Sequence, residues 1–259
     1  MPRFAANLSM LFTEVPFPDR FALAAEAGFR GVEYLFPYPW EPQLLKGKLE
    51  QHNLTQVLFN MPPGDWDAGE RGIACLPDRT DEFREGVAEA IRYAHALGCQ
   101  QVNCLAGLRP DDADDELLWQ TLRDNVRWAA DQLERAGIRM CLEAINSRVD
   151  MPGFLLDTSG KVVELIRQVG SSNVRLQYDI YHMQIMEGDL IRTMEGLLPV
   201  IGHIQFADNP GRHQPGTGEL NFPALFAALD RMGYEGWVSA EYRPATNTGE
   251  SLDWFRSGE

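Results

Sequence analysis

Four oxygen-bearing side chains close four apolar, strand-like runs in the second half of the chain. They are Glu143 in RMCLEAI, Asp179 in VRLQYDIYH, Gln205 in IGHIQFAD and Glu241 in GWVSAEYRP, at spacings of 36, 26 and 36 residues. Those intervals are about the length of one strand-plus-helix unit. The four side chains therefore meet only if the strands lie side by side and run the same way. Three carboxylates and an amide brought together repel one another unless a hard divalent cation holds them, and an oxygen donor set suits Mg2+ or Mn2+. A metal site built from Glu143, Asp179, Gln205 and Glu241 is the expectation.

The elements that would position these residues form a regular rhythm. Strand-like runs occur at 4–12, 31–37, 55–60, 100–107, 139–145, 174–182, 201–208 and 236–244. Amphipathic stretches such as TDEFREGVAEAIRYAHALG and LWQTLRDNVRWAADQLERAG lie between them, and several end in Gly (Gly28, Gly98, Gly137, Gly170), the residue suited to a left-handed helix cap. Alternating β and α units imply a parallel sheet with helices outside it. Eight units imply closure into a (β/α)8 barrel, an α/β TIM barrel occupying 1–259 as one domain. An open doubly wound sheet is the alternative, but no GxGxxG follows the first strand and no GxxxxGK[ST] loop occurs. Two loops exceed what the connections require, 61–80 (MPPGDWDAGERGIACLPDRT) and 209–219 (NPGRHQPGTGE). Both follow strand C-termini, where barrel enzymes keep their active sites.

Composition narrows the chemistry. The 259 residues carry 23 basic and 38 acidic side chains, a formal net charge of −15, which disfavours nucleic acid and anionic membrane surfaces as partners. MPRFAANLSMLF has no long apolar core of a signal peptide and no 18-residue apolar stretch occurs, so a soluble, cytoplasmic protein is expected. Cys75, Cys99, Cys104 and Cys141 form no CxxC pair and are expected to be reduced. The only lysines, Lys46, Lys48 and Lys161, sit away from strand C-termini, which disfavours a Schiff-base aldolase. No GxSxG elbow supports a serine hydrolase. Five histidines supply a His-rich zinc cluster poorly.

Two glutamates beside an oxygen-bound metal suit proton transfer next to a polarised carbonyl. One carboxylate removes a proton from the carbon beside the carbonyl, an enediolate forms, and a second carboxylate returns a proton to the neighbouring carbon. The outcome is aldose–ketose isomerisation, or epimerisation if the proton returns to the opposite face of the same carbon.

The chain resembles the hydroxypyruvate isomerase family, within the xylose-isomerase-like group of barrels. The resemblance runs nearly end to end, through FAANLSMLFTEVPF, GVEYLFPY, PPGDWDAGERGIACLP, LEAIN, QYDIYHMQIMEGDL, HIQFAD with GRHQPGTGE, and GWVSAEYRP. The Gly-Asp-Trp loop with Glu-Arg-Gly is its most specific part. It implies that Glu143, Asp179, Gln205 and Glu241 are metal ligands and that Glu143 and Glu241 are the acid–base pair. It also favours His182 as a donor to a substrate oxygen. The implied reaction interconverts hydroxypyruvate and tartronate semialdehyde. A 2-oxo-tetronate isomerase or a ketose 3-epimerase on the same barrel is the alternative, although the epimerases usually carry His where this chain has Gln205.

A keto-acid substrate needs a cation in an acidic protein, and Arg clasps carboxylate bidentately. Arg212 is the first candidate and Arg71 the second. Asn7, Asn60 and Asn103 lie late in strands and are candidates to line the pocket, Trp66 and Trp40 are candidate lid aromatics, and Glu33 reads as structural. The expected partner is a small 2-keto acid or sugar acid, with homo-oligomerisation left open.

Overall fold

The computed structural model describes residues 1–256; the last residues of the expected 1–259 domain lie outside the described ones. Eight short strands form one parallel sheet: β1 (Arg3–Asn7), β2 (Gly31–Tyr34), β3 (Thr55–Phe59), β4 (Gln101–Cys104), β5 (Arg139–Glu143), β6 (Val174–Asp179), β7 (Ile201–Phe206) and β8 (Trp237–Ala240). Their order is β3-β2-β1-β8-β7-β6-β5-β4, and a parallel bridge between Asn60 and Asn103 joins the two ends. The result is a (β/α)8 barrel, with seven strands inside the expected runs, β1 starting one residue before its run, and helices between them. Gly98 and Gly170 end their helices at φ +66° and +72°, the left-handed conformation that Gly adopts without a Cβ penalty.

Period-two alternation decides which side chains enter the barrel. On β7, Phe206 points outward and packs edge-on against Phe226 and Trp254. Its neighbours His203 and Gln205 point inward, where both reach Glu33 of β2. Barrel interiors are commonly filled by branched aliphatic residues, whereas this one holds Asn7, Glu33, Gln101, Asn103, Gln177, Asp179, His203 and Gln205, all buried. Buried polar groups persist when they bond one another. Here Gln101 Nε2 meets His203 Nδ1 at 3.3 Å and His203 Nε2 meets Glu33 Oε2 at 2.7 Å. This polar floor supports the residues at the strand C-termini. Among the described residues no helix is long and apolar enough to cross a membrane.

Candidate active site

Glu143 ends β5, Asp179 ends β6, and Glu241 follows β8 by one residue. With His182 of the helix Ile180–Met186 they offer ligand atoms that all lie within 4.8 Å of one another, and all four residues are buried. Asp179 earns its place twice. Its Oδ1 accepts the backbone N–H groups of Tyr181 (2.7 Å) and His182 (3.4 Å), capping the helix that carries His182. Its Oδ2 is buried without a hydrogen bond among the described residues.

Amides aim the two glutamates. Asn7 Nδ2 donates to Glu241 Oε1 at 3.0 Å and to Glu33 Oε1 at 2.9 Å. Asn103 Nδ2 donates to Glu143 Oε2 at 3.0 Å and to Asn60 Oδ1 at 3.1 Å. The asparagines expected to line the pocket therefore act mainly on its carboxylates, although Asn60 also reaches the cavity wall. Glu33 is structural, as expected. Burial works against its charge, yet attraction to and hydrogen bonding from His203, with the Gln205 hydrogen bond, hold its carboxyl below the usual range.

The site carboxyls move the other way. Burial, then Glu241 and Asp179, push Glu143 well above the usual carboxylate range. Burial raises Glu241 to about 8 against the pull of Arg212. Asp179 is also raised by burial, with Arg212 and the capping N–H groups pulling back. Crowded carboxylates with raised proton affinity are what a divalent ion relieves. Three carboxylates, one of them Asp179 with an oxygen free of hydrogen bonds, make an oxygen donor set that fits a divalent cation.

Gln205 sits beside Asp179 in the β6–β7 register, but its carboxamide is engaged below the cluster. Its Oε1 accepts from Gln177 Nε2 at 2.6 Å and its Nε2 donates to Glu33 Oε1 at 2.7 Å.

His182 is held neutral: burial, then the Arg212 charge, push its pKa well below the ordinary histidine value. Its tautomer follows from Asn146. The Asn146 Oδ1 already accepts the N–H groups of Val149 and Asp150, so Nδ2 faces His182 Nδ1 at 2.7 Å. With Nδ1 as the acceptor the proton falls to Nε2, which lies 3.8 Å from Glu143 Oε1, 3.6 Å from Asp179 Oδ2 and 3.5 Å from Arg212 Nη2.

Arg212 enters the cluster from the loop after β7. Asp208 orders that loop by accepting the N–H groups of Gly216, Gly218 and Leu220, and Arg212 itself has φ +55°. Its Nη2 donates to Glu241 Oε2 at 2.8 Å and lies 3.9 Å from Asp179 Oδ2, while Nη1 reaches Asp150 at 3.3 Å. A cavity of about 650 Å3 opens above these groups. Arg71 and Trp66 of the 61–80 loop line it, as does Arg243. Trp40 does not; it stacks on Phe17 with ring centroids 4.0 Å apart.

Sequence reasoning missed Asn146, Asp150 and Arg243. NSRVD, directly after the expected strand 139–145, carried the one available signal for the first two: polar residues just beyond a strand C-terminus.

Residues 21–258 match the family described as xylose isomerase-like TIM barrel. A hydroxypyruvate isomerase of Escherichia coli (strain K12) is 50% identical over 255 residues, which cover 98% of this chain and 98% of the relative. A 2-oxo-tetronate isomerase of Cupriavidus necator is 45% identical, covering 99% of this chain and 98% of its own. Among solved structures, a protein from Brucella melitensis described as a family 2 AP endonuclease superimposes with a TM-score of 0.97 at 49% identity, over 99% of both chains.

Proposed function

The chain belongs to the xylose isomerase-like TIM-barrel family and is an isomerase of the hydroxypyruvate isomerase type; on that premise we propose that it interconverts hydroxypyruvate and tartronate semialdehyde through an enediolate, with a divalent metal, Mg2+ or Mn2+. The observation that carries this reading is the buried cluster of Glu143, Asp179, His182 and Glu241 beneath a cavity of about 650 Å3.

In the forward direction C3 of hydroxypyruvate gives up a proton, C2 receives one, and the hydroxyl proton passes from O3 to O2. Glu143 and Glu241 stand on separate strand ends of the cluster, which offers one carboxyl to remove a proton and a second to return one. The His182 Nε2–H donates to a substrate oxygen and steadies its developing charge. Glu143, Asp179 and Glu241 would hold the ion, with Gln205 joining through the Oε1 that Gln177 occupies. When bound, the metal supplies Lewis-acid polarisation of the carbonyl. We place the activity in one barrel domain spanning 1–259.

A 2-oxo-tetronate substrate is the second reading. The cavity is roomier than a three-carbon acid requires, and the Cupriavidus necator relative bears that name. An endonuclease reading is disfavoured by the net charge of −15 and by a cluster with His182 as its one histidine.

The test is a substrate panel of hydroxypyruvate, 2-oxo-tetronates, fructose, tagatose and psicose, assayed with Mg2+ or Mn2+ and after chelation. Metal-restored turnover of the short keto acids is expected. A preference for neutral hexuloses, or full activity after exhaustive chelation with no metal found by elemental analysis, overturns the reading.

A further inference from the structure

An acid substrate needs a cation that is free to receive it, and Arg212 has only its buried Nε unbonded. Both of its terminal nitrogens already bond carboxylates, Glu241 and Asp150, with Asp179 close by. A further carboxylate brought to that guanidinium would compete with three carboxyl groups already beside it.

Arg71 is differently placed. Its guanidinium lies 4.0 Å over the Trp66 ring, and Trp66 packs edge-on against Phe36 with centroids 5.0 Å apart. Nη1 donates to the backbone carbonyls of Trp66 (3.0 Å) and Glu70 (2.7 Å). The opposite edge, Nε and Nη2, has no partner among the described residues. That edge grips a carboxylate side-on with two parallel hydrogen bonds.

The acid next to Arg71 in the chain is held away from it. Glu70 is bonded by Arg79, whose Nη1 lies 2.6 Å from its Oε1. The loop is also pinned. Gly72 has φ +102°, and a Cβ there would collide with the Leu105 carbonyl. The Gly72 N–H bonds Pro63 O and the Cys75 N–H bonds Ala106 O, both at 2.9 Å. Arg71 is therefore held in place over the cavity it lines, with its charge unspent, and Arg243 adds positive charge to the same wall. A preorganised receptor loses less freedom on binding than a mobile arginine does.

We propose that Arg71, seated on Trp66, is the specificity-determining residue that receives the substrate carboxylate and selects 2-keto acids over neutral ketoses. The proposal rests on the isomerase reading above and reverses the order in which the sequence ranks Arg212 and Arg71.

The experiment compares metal-loaded wild type, Arg71→Gln and Arg71→Lys on hydroxypyruvate and on dihydroxyacetone, in which a hydroxymethyl group replaces the carboxylate. In Arg71→Gln, KM for hydroxypyruvate should rise roughly 10- to 100-fold with kcat little changed. Dihydroxyacetone kinetics should not move. Arg71→Lys keeps the charge without the fork and should fall between, which gives a reading even if the Gln variant fails to fold. Arg192→Gln removes a surface arginine whose side chain is 84% exposed and controls for net charge. Calorimetric titration with lactate, which does not react, should show the same loss of affinity without turnover. Unchanged hydroxypyruvate KM and lactate affinity in Arg71→Gln, with an active wild type, would overturn this proposal and leave the isomerase reading intact. A wild type that prefers dihydroxyacetone would overturn both.

Discussion

Arg212 and Glu241 are bonded at 2.8 Å although they approach the site from successive loops, after β7 and after β8. The two loops are stitched together by the Arg243 N–H, which donates to the Arg212 carbonyl at 2.9 Å. Arg212 lowers the proton affinity of Glu241, which burial has raised. The arginine therefore tunes a group assigned to proton transfer.

Arg212→Met should accordingly act on kcat. Without the guanidinium, Glu241 holds its proton more tightly and loses one of its two orienting bonds. We expect kcat for hydroxypyruvate to fall about tenfold or more, with KM changing far less. Steady-state kinetics across pH 6–9 check this. A raised KM with unchanged kcat would instead make Arg212 the carboxylate clamp.

Glu143→Gln and Glu241→Gln should each lower kcat by about 10²–10⁴, the usual range for a positioned proton-transfer group. Both residues are also proposed ligands, so metal content by elemental analysis must accompany the rates. Near-normal turnover in a metal-replete variant removes that residue from the acid–base pair.

The metal-free protein should lose stability as pH rises. Glu241 has a folded value of about 8, and Glu143 and Asp179 are raised in the same direction, whereas unfolded carboxyls titrate near ~4. Between those values the folded state binds more protons than the unfolded one. The stability contributed by each protonated carboxyl is complete below the unfolded value and disappears as pH climbs through the folded value. The Tm of chelated protein should fall from pH 5.5 to 8.5, and added Mn2+ should raise it more at the alkaline end, where the ligands have lost their protons. A flat Tm profile, or an Mn2+ effect independent of pH, would count against the cluster as a metal site.

The four cysteines should be inert in the native state. All are buried and free, and burial pushes each thiol up to about 12. The thiolate is the reactive form, so raised values suppress alkylation at pH 8. Mass spectrometry after iodoacetamide treatment should find little label on native protein and four labels after unfolding. Rapid native labelling at any of the four positions contradicts its burial.

Much of the barrel was legible in the chain because its signals are local. Buried parallel strands read as short apolar runs, helices as amphipathic stretches, and Gly98 and Gly170 mark where a helix must turn left-handed. Glu143, Asp179 and Glu241 stood out for the same reason, as lone acids ending apolar runs, and the structure brings them together. His182 was within reach of the sequence because the Asp179 cap fixes the turn it sits on.

Partnership between distant side chains was not legible. Asn7 and Glu241 are 234 residues apart, Glu33 and His203 170, and Arg212 and Asp150 62. Nothing near any of these residues in the chain says which way its side chain turns or what it bonds. Arg212 and Arg71 look alike in sequence, each an arginine in a Gly-containing loop after a strand. Only closure of the barrel pairs one with Glu241 and leaves the other, which lines the cavity, bonded through Nη1 to backbone carbonyls and to no carboxylate among the described residues. A bond network depends on positions in space that the strand register and the loop anchors set jointly, and no single stretch of the chain contains it.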